Sequence, residues 1–237
     1  MSVVASPALL VRSVPYGESD LIGTFFTEEQ GKVSAIIRGA RRSTKRFGGA
    51  LEPIHELQIT YEDKGRELCV LKEARIARAR MTILGDLDAM DAAGRALRWV
   101  RHLCPARTPE PSAWRSLGRF LDVLDRGEKG FHRELAFFGL KLLADVGYGL
   151  ELGRCVRCGR PCPEGRPAFI DAAGGGLVCT SCGGARRTLK ADVRSLAVRA
   201  MAGEDVPMTR EQANEIVTVV EEAMAAHADF DPSSGTR

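Results

Sequence analysis

The chain has 237 residues, of which 44% are hydrophobic and 27% are charged. This length suits one or two domains, or two domains with a small insert, and the composition excludes a wholly disordered chain. No stretch approaches the roughly 20 apolar residues of a membrane span, and the first residues lack a secretory signal pattern. The net charge of +3 is too small to indicate a polyanionic partner by itself. We therefore expect a cytoplasmic protein without a membrane partner.

Residues 1–78 are predicted to form a small β-barrel. Runs of apolar and β-branched residues alternate with turn signals such as Glu28–Gly31 and Glu62–Gly65. Several short strands in so few residues fit a closed barrel, either an OB-fold or an SH3-like barrel. The predicted strands are Ala8–Val14, Leu21–Thr27, Lys32–Arg38, Leu51–Tyr61 and Glu67–Ile76.

From residue 79 the apolar residues recur every three or four positions, which is typical of amphipathic helices. The first helix is expected to begin near Asp86, Gly147 to end the third, and Thr209 with Gln212 to cap the last one. The tail from Asp229 is expected to be frayed. Helical spacing lies on both sides of a cysteine-rich segment, which indicates an insert. The predicted organisation is α+β, with a barrel at 1–78, a helical domain at 79–154 and 183–237, and a zinc-binding insert at 155–182.

Five of the seven cysteines lie in the predicted insert. The pairs Cys155/Cys158 and Cys179/Cys182 are two CxxC motifs with 20 residues between them, and each can direct two sulfur atoms at one ion. Four thiolates suit Zn²⁺, and a closed four-sulfur shell favours a structural ion over a catalytic one. Free thiols or a redox pair are the alternatives, although neither pair opens a helix in a thioredoxin-like context. Cys162 could replace one ligand, but we favour a buried thiol.

A basic run follows the third predicted strand. It contains five cations and no acidic residue, and glycine, serine and threonine mark it as a loop. A cationic loop beside a small barrel can contact a phosphate backbone, and an aromatic ring can stack on a base. The other reading is a solvated charge run. The candidate nucleic-acid-binding residues are Arg38, Arg41, Arg42, Lys45, Arg46 and Phe47.

A second basic cluster lies where the barrel is predicted to end. Arg75, Arg78 and Arg80 could extend the same nucleic-acid-binding face, or they could form a solubilising linker. The sequence alone favours neither reading.

No group of residues suggests catalysis. There is no phosphate-binding loop followed by Lys-Ser/Thr and no GxSxG elbow, and the four histidines are isolated. Asp86, Asp88 and Asp91 stand at a predicted helix start, where the helix dipole favours them. We therefore expect a binding protein, without a small-molecule substrate, and not an enzyme.

Several short segments together resemble a known family. They are Tyr16–Asp20, Gly31–Lys32, Gly39–Arg42, Leu51–Pro53, Leu142–Tyr148 and Cys155–Gly159. These segments resemble the RecO family of bacterial recombination mediators. The resemblance covers about residues 8 to 182 and continues more loosely to the end of the chain.

The resemblance implies an OB-fold, a helical bundle and a zinc-binding element. It implies binding of single- and double-stranded DNA and annealing of complementary strands. It also implies help in loading the recombinase RecA onto DNA coated by single-strand-binding protein, with RecR as a partner, in association with the nucleoid. Carried over by position, DNA would be contacted by Arg38, Arg41, Arg42, Lys45 and Arg46. Zinc would be held by Cys155, Cys158, Cys179 and Cys182.

The main alternative is an RNA-binding or translation-associated barrel with a zinc ribbon. Phosphates and stacking bases are common to DNA and RNA, so the basic run cannot distinguish them, whereas a 2′-hydroxyl preference would. A scaffold that binds only protein, and a zinc hydrolase with an open metal position, are further alternatives.

Overall fold

The first half of the chain is built of strands and the second half mainly of helices. The computed structural model describes residues 2–42, 47, 49–128 and 130–227. Strands dominate residues 2–78 and the long helices begin at Leu87, which confirms the predicted α+β class. The chain divides after Gly127 into two units. This boundary falls inside the segment 79–154 that the sequence assigns to one helical domain, so that two helices belong to the first unit.

The strands of the first unit form a closed barrel. Their order is β1-β2-β3-β5-β4, and it closes because β1 pairs with both β2 and β4. Every pair is antiparallel except β3 with β5. The strands are β1 (Ser2–Tyr16), β2 (Asp20–Thr27), β3 (Gly31–Ile37), β4 (Glu56–Asp63) and β5 (Leu68–Arg78).

Two strand boundaries differ from the sequence prediction. Strand β1 has 15 residues: residues 2–9 pair with β4 and residues 9–16 with β2, with an irregularity between Leu10 and Arg12. Strand β4 begins at Glu56 and not at Leu51, because turns occupy the intervening segment and Ile54 adopts a φ of 90°. A β-branched residue rarely adopts a positive φ, so apolar character alone gives a misleading strand start here.

The barrel core is apolar and closely packed. Strand β3 alternates buried and half-buried residues along its length, as expected for a strand with one face against a core. The largest fully buried core side chains include Leu10, Phe25, Ile37, Leu57, Ile59, Tyr61 and Leu71.

The two long helices in the described part of the first unit are α1 (Leu87–Leu103) and α2 (Pro111–Asp125). Helix α1 begins where predicted, because the Asp86 side chain accepts a hydrogen bond of 3.0 Å from the Ala89 amide and so caps the first turn. Helix α2 starts with a proline, whose missing amide hydrogen costs nothing at that position.

Gly31 allows the connection between α1 and α2 to pack closely against the start of β3. The Arg107 amide donates to the Lys32 carbonyl at 3.0 Å. Gly31 has a φ of 62°, and a Cβ atom at this position would overlap the Thr108 backbone. Glycine is therefore required both by the backbone conformation and by the close approach.

The second unit combines three helices with a small sheet. The helices are α3 (Phe131–Asp145), α4 (Ala191–Met201) and α5 (Arg210–His227). The predicted capping box is confirmed, because Thr209 and Gln212 exchange side-chain-to-amide hydrogen bonds of 3.0 and 3.2 Å. Gly147, with a φ of 88°, follows α3 as predicted. The tail from Asp229 lies outside the described residues.

The small sheet has four strands in the order β6-β8-β7-β9. It extends to Leu189 and is therefore longer than the predicted insert at 155–182. The strands are β6 (Glu151–Cys155), β7 (Ala168–Asp171), β8 (Gly176–Leu177) and β9 (Arg187–Leu189). Within the described part of the chain, no helix is long and apolar enough to cross a membrane.

A buried ion pair fastens the end of the barrel to α2. The Arg80 side chain is 1% exposed; its Nε and Nη2 atoms donate to Asp122 Oδ1 at 3.0 and 2.8 Å, and its Nη1 atom donates to the Ile54 carbonyl at 2.8 Å. The Arg80 amide in turn donates to His55 Nδ1 at 3.1 Å. Arg80 is therefore a structural residue.

Replacing Asp122 with alanine is expected to lower the free energy of unfolding of the first unit by about 3–5 kcal/mol. The buried Arg80 guanidinium loses the carboxylate to which it donates hydrogen bonds and keeps, of the carboxylates, only Glu56 Oε2, 3.7 Å away. Urea denaturation followed by tryptophan fluorescence measures this unit, since both tryptophans, Trp99 and Trp114, lie in it. The control is Glu73→Ala, which breaks the exposed pair with Arg75 and should change stability by less than about 1 kcal/mol. Equal losses in the two variants would contradict this role of Arg80.

Candidate nucleic-acid loop and metal centre

The basic loop, residues 38–47, is anchored by the turn between β1 and β2. Pairing of Leu21 with Ile37 brings the start of β2 beside the end of β3. There, Asp20 Oδ1 accepts a hydrogen bond of 2.8 Å from the Gly39 amide, and the Arg41 amide donates to the Ser19 carbonyl at 3.0 Å. These two hydrogen bonds hold residues 39–41, where the loop begins, against that turn.

Three predicted cations lie on the exposed part of this loop. Arg38, Arg41 and Arg42 are all exposed. Arg42 Nη2 lies 3.5 Å from Glu18 Oε2, but the two side chains are 71% and 92% exposed, so the pair is weak and open to exchange with another anion. Lys45 and Arg46 lie outside the described residues.

Asp20 is suited to hold this cationic loop because it stays ionised. Its carboxyl pKa lies below the ordinary value, chiefly because the Gly39 amide donates to it and also because Ser19, Arg38 and Arg42 favour the charged form. In the sequence, Tyr16–Asp20 stands out only as a motif, and its local pattern does not indicate this anchoring role. The missing signal was the pairing of β2 with β3.

Phe47 differs from its prediction. Its side chain is 5% exposed and belongs to the hydrophobic core of the barrel, so its ring cannot present a face to a nucleic-acid base. The interpretation as a stacking residue is therefore wrong for this structure. An aromatic residue at the end of a cationic run serves here to return the chain to the core.

The second basic cluster is not a single surface. Arg75 is exposed beside Glu73, and Arg78 Nη1 donates to Asp122 Oδ2 at 2.7 Å. Arg80 is buried, so it cannot extend a nucleic-acid-binding face. Of the three, only Arg75 and Arg78 present charge to solvent.

The two CxxC motifs meet at one point in the second unit. The sulfur atoms of Cys155, Cys158, Cys179 and Cys182 all lie within 4.8 Å of one another, and Cys158 Sγ is 3.7 Å from Cys179 Sγ. A tetrahedron of sulfur atoms with metal bonds of about 2.3 Å has edges of about 3.8 Å. The four thiols therefore fit one tetrahedral metal ion, and Cys162 stands outside this group.

Backbone turns hold each pair of sulfur atoms. The Gly159 amide donates to the Cys155 carbonyl at 2.8 Å, and the Gly184 amide to the Cys179 carbonyl at 3.1 Å. Gly159 and Gly183 have φ values of 72° and 98°, which glycine adopts without steric cost. The glycines after each CxxC motif thus allow tight turns at both halves of the site.

Two arginines tie the two turns together. Arg157 Nη1 donates to the Cys182 carbonyl at 2.8 Å, and Arg160 Nη1 donates to Ser181 Oγ at 2.9 Å. Both arginines come from the first CxxC turn and both acceptors from the second. Their positive charges also lower the energy of placing several thiolates close together.

The four thiols do not lose their protons equally. Backbone amides, that of Cys179 above all, lower the pKa of Cys155 to about 6. Hydrogen bonds with Cys158 and Cys179 raise the pKa of Cys182 to about 12. One thiolate therefore forms readily, whereas the full set needs a cation at its centre.

Comparisons with known proteins agree with this architecture. The family model "Recombination protein O N terminal" matches residues 1–80, and "Recombination protein O C terminal" matches residues 84–234. This chain belongs to the recombination protein O family. The family that the sequence motifs resemble is thereby confirmed.

Relatives in the family carry the name DNA repair protein RecO. One from Anaeromyxobacter sp. (strain K) is 38% identical over 83% of this chain and 78% of its own length. Another from Rubrobacter xylanophilus is 36% identical over 77% and 72%. A third from Geobacter metallireducens is 32% identical over 96% and 93%. The membership thus extends over both units.

Replacing Asp20 with alanine is expected to speed hydrogen exchange at the Gly39 amide about tenfold, because the amide loses a charged acceptor. Exchange measured by NMR tests this. The matched control is Asp171→Ala in the second unit, where Asp171 Oδ1 accepts a hydrogen bond of 3.0 Å from the Gly174 amide. This variant should leave the Gly39 amide protected from exchange. Unchanged exchange at Gly39 in the Asp20 variant would show that the loop is held by other contacts.

Proposed function

We propose that this chain is a DNA-binding recombination mediator in DNA repair. In this proposal it binds single- and double-stranded DNA, anneals complementary strands, and works with RecR to load RecA onto DNA coated by single-strand-binding protein. The observation that carries the proposal is the anchored loop with three exposed arginines, in a chain whose relatives are named DNA repair proteins. Such binding would place the protein with the cytoplasmic nucleoid.

The proposed mechanism is electrostatic and needs no bond chemistry, so the chain is not proposed to be an enzyme. Annealing brings together two strands of like charge. Arginines that neutralise phosphates release condensed counterions and lower that repulsion. If the five cations of the basic loop each meet a phosphate, log K should fall against log salt with a slope of about −3.5 to −4.5.

The barrel supports this proposal through its topology. A closed five-stranded barrel of this strand order corresponds to the OB-fold that we propose, and OB-folds bind oligonucleotides beside the loop between their first two strands. Here Ser19 and Asp20, at that turn, hold the basic loop. A strand lying across this part of the barrel would therefore meet Arg41 and Arg42.

Changing Arg41 and Arg42 together to alanine is expected to reduce the magnitude of the salt slope by about 1.4 on single-stranded DNA, because two phosphate contacts are lost. Fluorescence anisotropy with labelled single-stranded DNA across a salt series measures the slope. The control is the double variant Arg66→Ala/Arg115→Ala, which removes two other exposed arginines of the first unit and should leave the slope unchanged.

The same titration separates the competing readings. An unchanged slope in the loop variant would remove Arg41 and Arg42 from the contacts. Displacement of the DNA by an equal concentration of RNA would favour the RNA-binding alternative. An absence of binding at low salt would favour a protein scaffold.

We further propose that the four-cysteine group holds a structural Zn²⁺. Zinc prefers four sulfur ligands in a tetrahedron, and a site closed by four thiolates leaves no position for a substrate. When bound, the ion would supply the positive charge that the thiolates need and would join the two CxxC turns. Arg157 and Arg160 would position these turns from outside the ligand shell.

Cys158→Ser is expected to reduce bound zinc from about one ion per chain to a small fraction, because one of four ligands is lost. Metal analysis of the purified protein measures the zinc content. The melting temperature of the second unit should fall together with it. The control is Cys162→Ser, which should keep the ion, since Cys162 lies outside the group. Full zinc content in the Cys158 variant, or loss in the Cys162 variant, would overturn the ligand assignment.

A further inference from the structure

Tyr16 differs from the other described aromatic residues of the first unit because its side chain is exposed to solvent. Its exposed fraction is 50%. The other described aromatic side chains of this unit are buried or half-buried: Phe47 lies in the barrel core, and Trp114 packs edge-on against Phe26. Tyr16 is therefore the ring of this unit that is most open to a base approaching from solvent.

Strand pairing places Tyr16 beside the start of the basic loop. It is the last residue of β1 and pairs with Asp20, the first residue of β2. Residues directly opposite each other in an antiparallel pair project from the same face of the sheet, with Cβ atoms about 4.5–5.5 Å apart. From that face the Asp20 carboxylate reaches the Gly39 amide at 2.8 Å. The Tyr16 side chain and the first residues of the loop therefore share one side of the hairpin.

Two arginines of the basic loop contact the turn that directly follows Tyr16. The Arg41 amide donates to the Ser19 carbonyl at 3.0 Å, and Arg41 Nη1 lies 3.4 Å from the Glu18 carbonyl. Arg42 Nη2 lies 3.5 Å from Glu18 Oε2. One short hairpin thus brings together an exposed ring and two exposed guanidinium groups.

The space beside the ring is open. Tyr16 is followed by Gly17, where a Cβ atom would meet no other atom within 4 Å. Gly39, the loop residue that Asp20 holds, is equally open, since a Cβ atom there would also meet nothing within 4 Å. Two glycines without close neighbours, one in the turn and one in the loop, leave room for a flat base.

The charges around the turn favour a base over a phosphate at the ring. The Glu18 side chain is 92% exposed, so a phosphate placed directly over the turn would meet a like charge, whereas an uncharged base would not. Phosphates are attracted instead to Arg41 and Arg42. A nucleotide bound here would therefore direct its base to Tyr16 and its phosphate to the arginines.

We propose that Tyr16 stacks on an unpaired base of single-stranded DNA and gives the basic-loop site a preference for single strands. The proposal rests on the proposed function, because it requires that DNA binds at the basic loop. Phosphates are present in single strands and in duplexes alike, whereas an unstacked base is offered only by a single strand. Every base has a flat face, so this contact is independent of base sequence.

Fluorescence anisotropy with a labelled oligothymidine, and with a duplex of the same length, tests this role. Tyr16→Ala is expected to weaken binding to the oligothymidine about tenfold and binding to the duplex less than about twofold, because a stacked base is lost. The slope of log K against log salt should stay that of the native chain, since no charge is removed. Tyr16→Phe should bind like the native chain, whereas Tyr16→Leu, which is apolar but has no aromatic face, should lose affinity.

The matched control is Tyr148→Ala, which removes the tyrosine of the second unit that is 38% exposed and should leave both affinities unchanged. A purely structural role of Tyr16 is tested by hydrogen exchange at the Gly39 amide, which should be the same in the Tyr16 variants as in the native chain. A photocrosslink gives an independent readout. An oligothymidine with one iodouracil base, irradiated while bound to the native chain, should form its adduct at Tyr16, as identified by mass spectrometry.

The outcomes separate this inference from the proposed function. If the native chain does not bind the oligothymidine, both fail. If it binds through Arg41 and Arg42, but Tyr16→Ala binds as tightly as the native chain, only the stacking role is overturned. Equal losses on oligothymidine and duplex, or faster exchange at Gly39, would show that Tyr16 shapes the loop and would also overturn it. A selective loss on single strands with an unchanged salt slope, together with an adduct at Tyr16, would support it.

Discussion

The architecture of the first unit depends on one strand that pairs on both sides. The first half of β1 pairs with β4 and its second half with β2, so a single segment closes the barrel. Strand β2, which follows β1, pairs with β3, so the β1–β2 turn lies beside the end of β3 and Asp20 reaches the Gly39 amide. The direction of the basic loop is thus a consequence of strand pairing, while its charge comes from the local sequence.

The sequence predicts features that depend on neighbouring residues and fails where distant residues meet. The helix caps at Asp86 and Thr209 and the two CxxC motifs follow from local spacing, and the structure has all of them. The burial of Arg80 depends on Asp122, 42 positions away. Nothing in the local sequence distinguishes Arg80 from an exposed linker residue.

The candidate nucleic-acid surface shows the same division. The exposure of Arg41 and Arg42 agrees with a polar loop, whereas Phe47 turns into the core because the barrel needs an apolar side chain there.

Gly31 has a consequence for the range of sequences that this fold tolerates. Any side chain there would overlap the Thr108 backbone. The next residue, Lys32, accepts a hydrogen bond from the Arg107 amide through its carbonyl and donates one from Nζ to the Arg101 carbonyl. A substitution at position 31 would therefore displace the Lys32 side chain as well as the turn. In a saturation library, this position should accept glycine alone, whereas the exposed glycine at position 65, with open space around it, should accept asparagine.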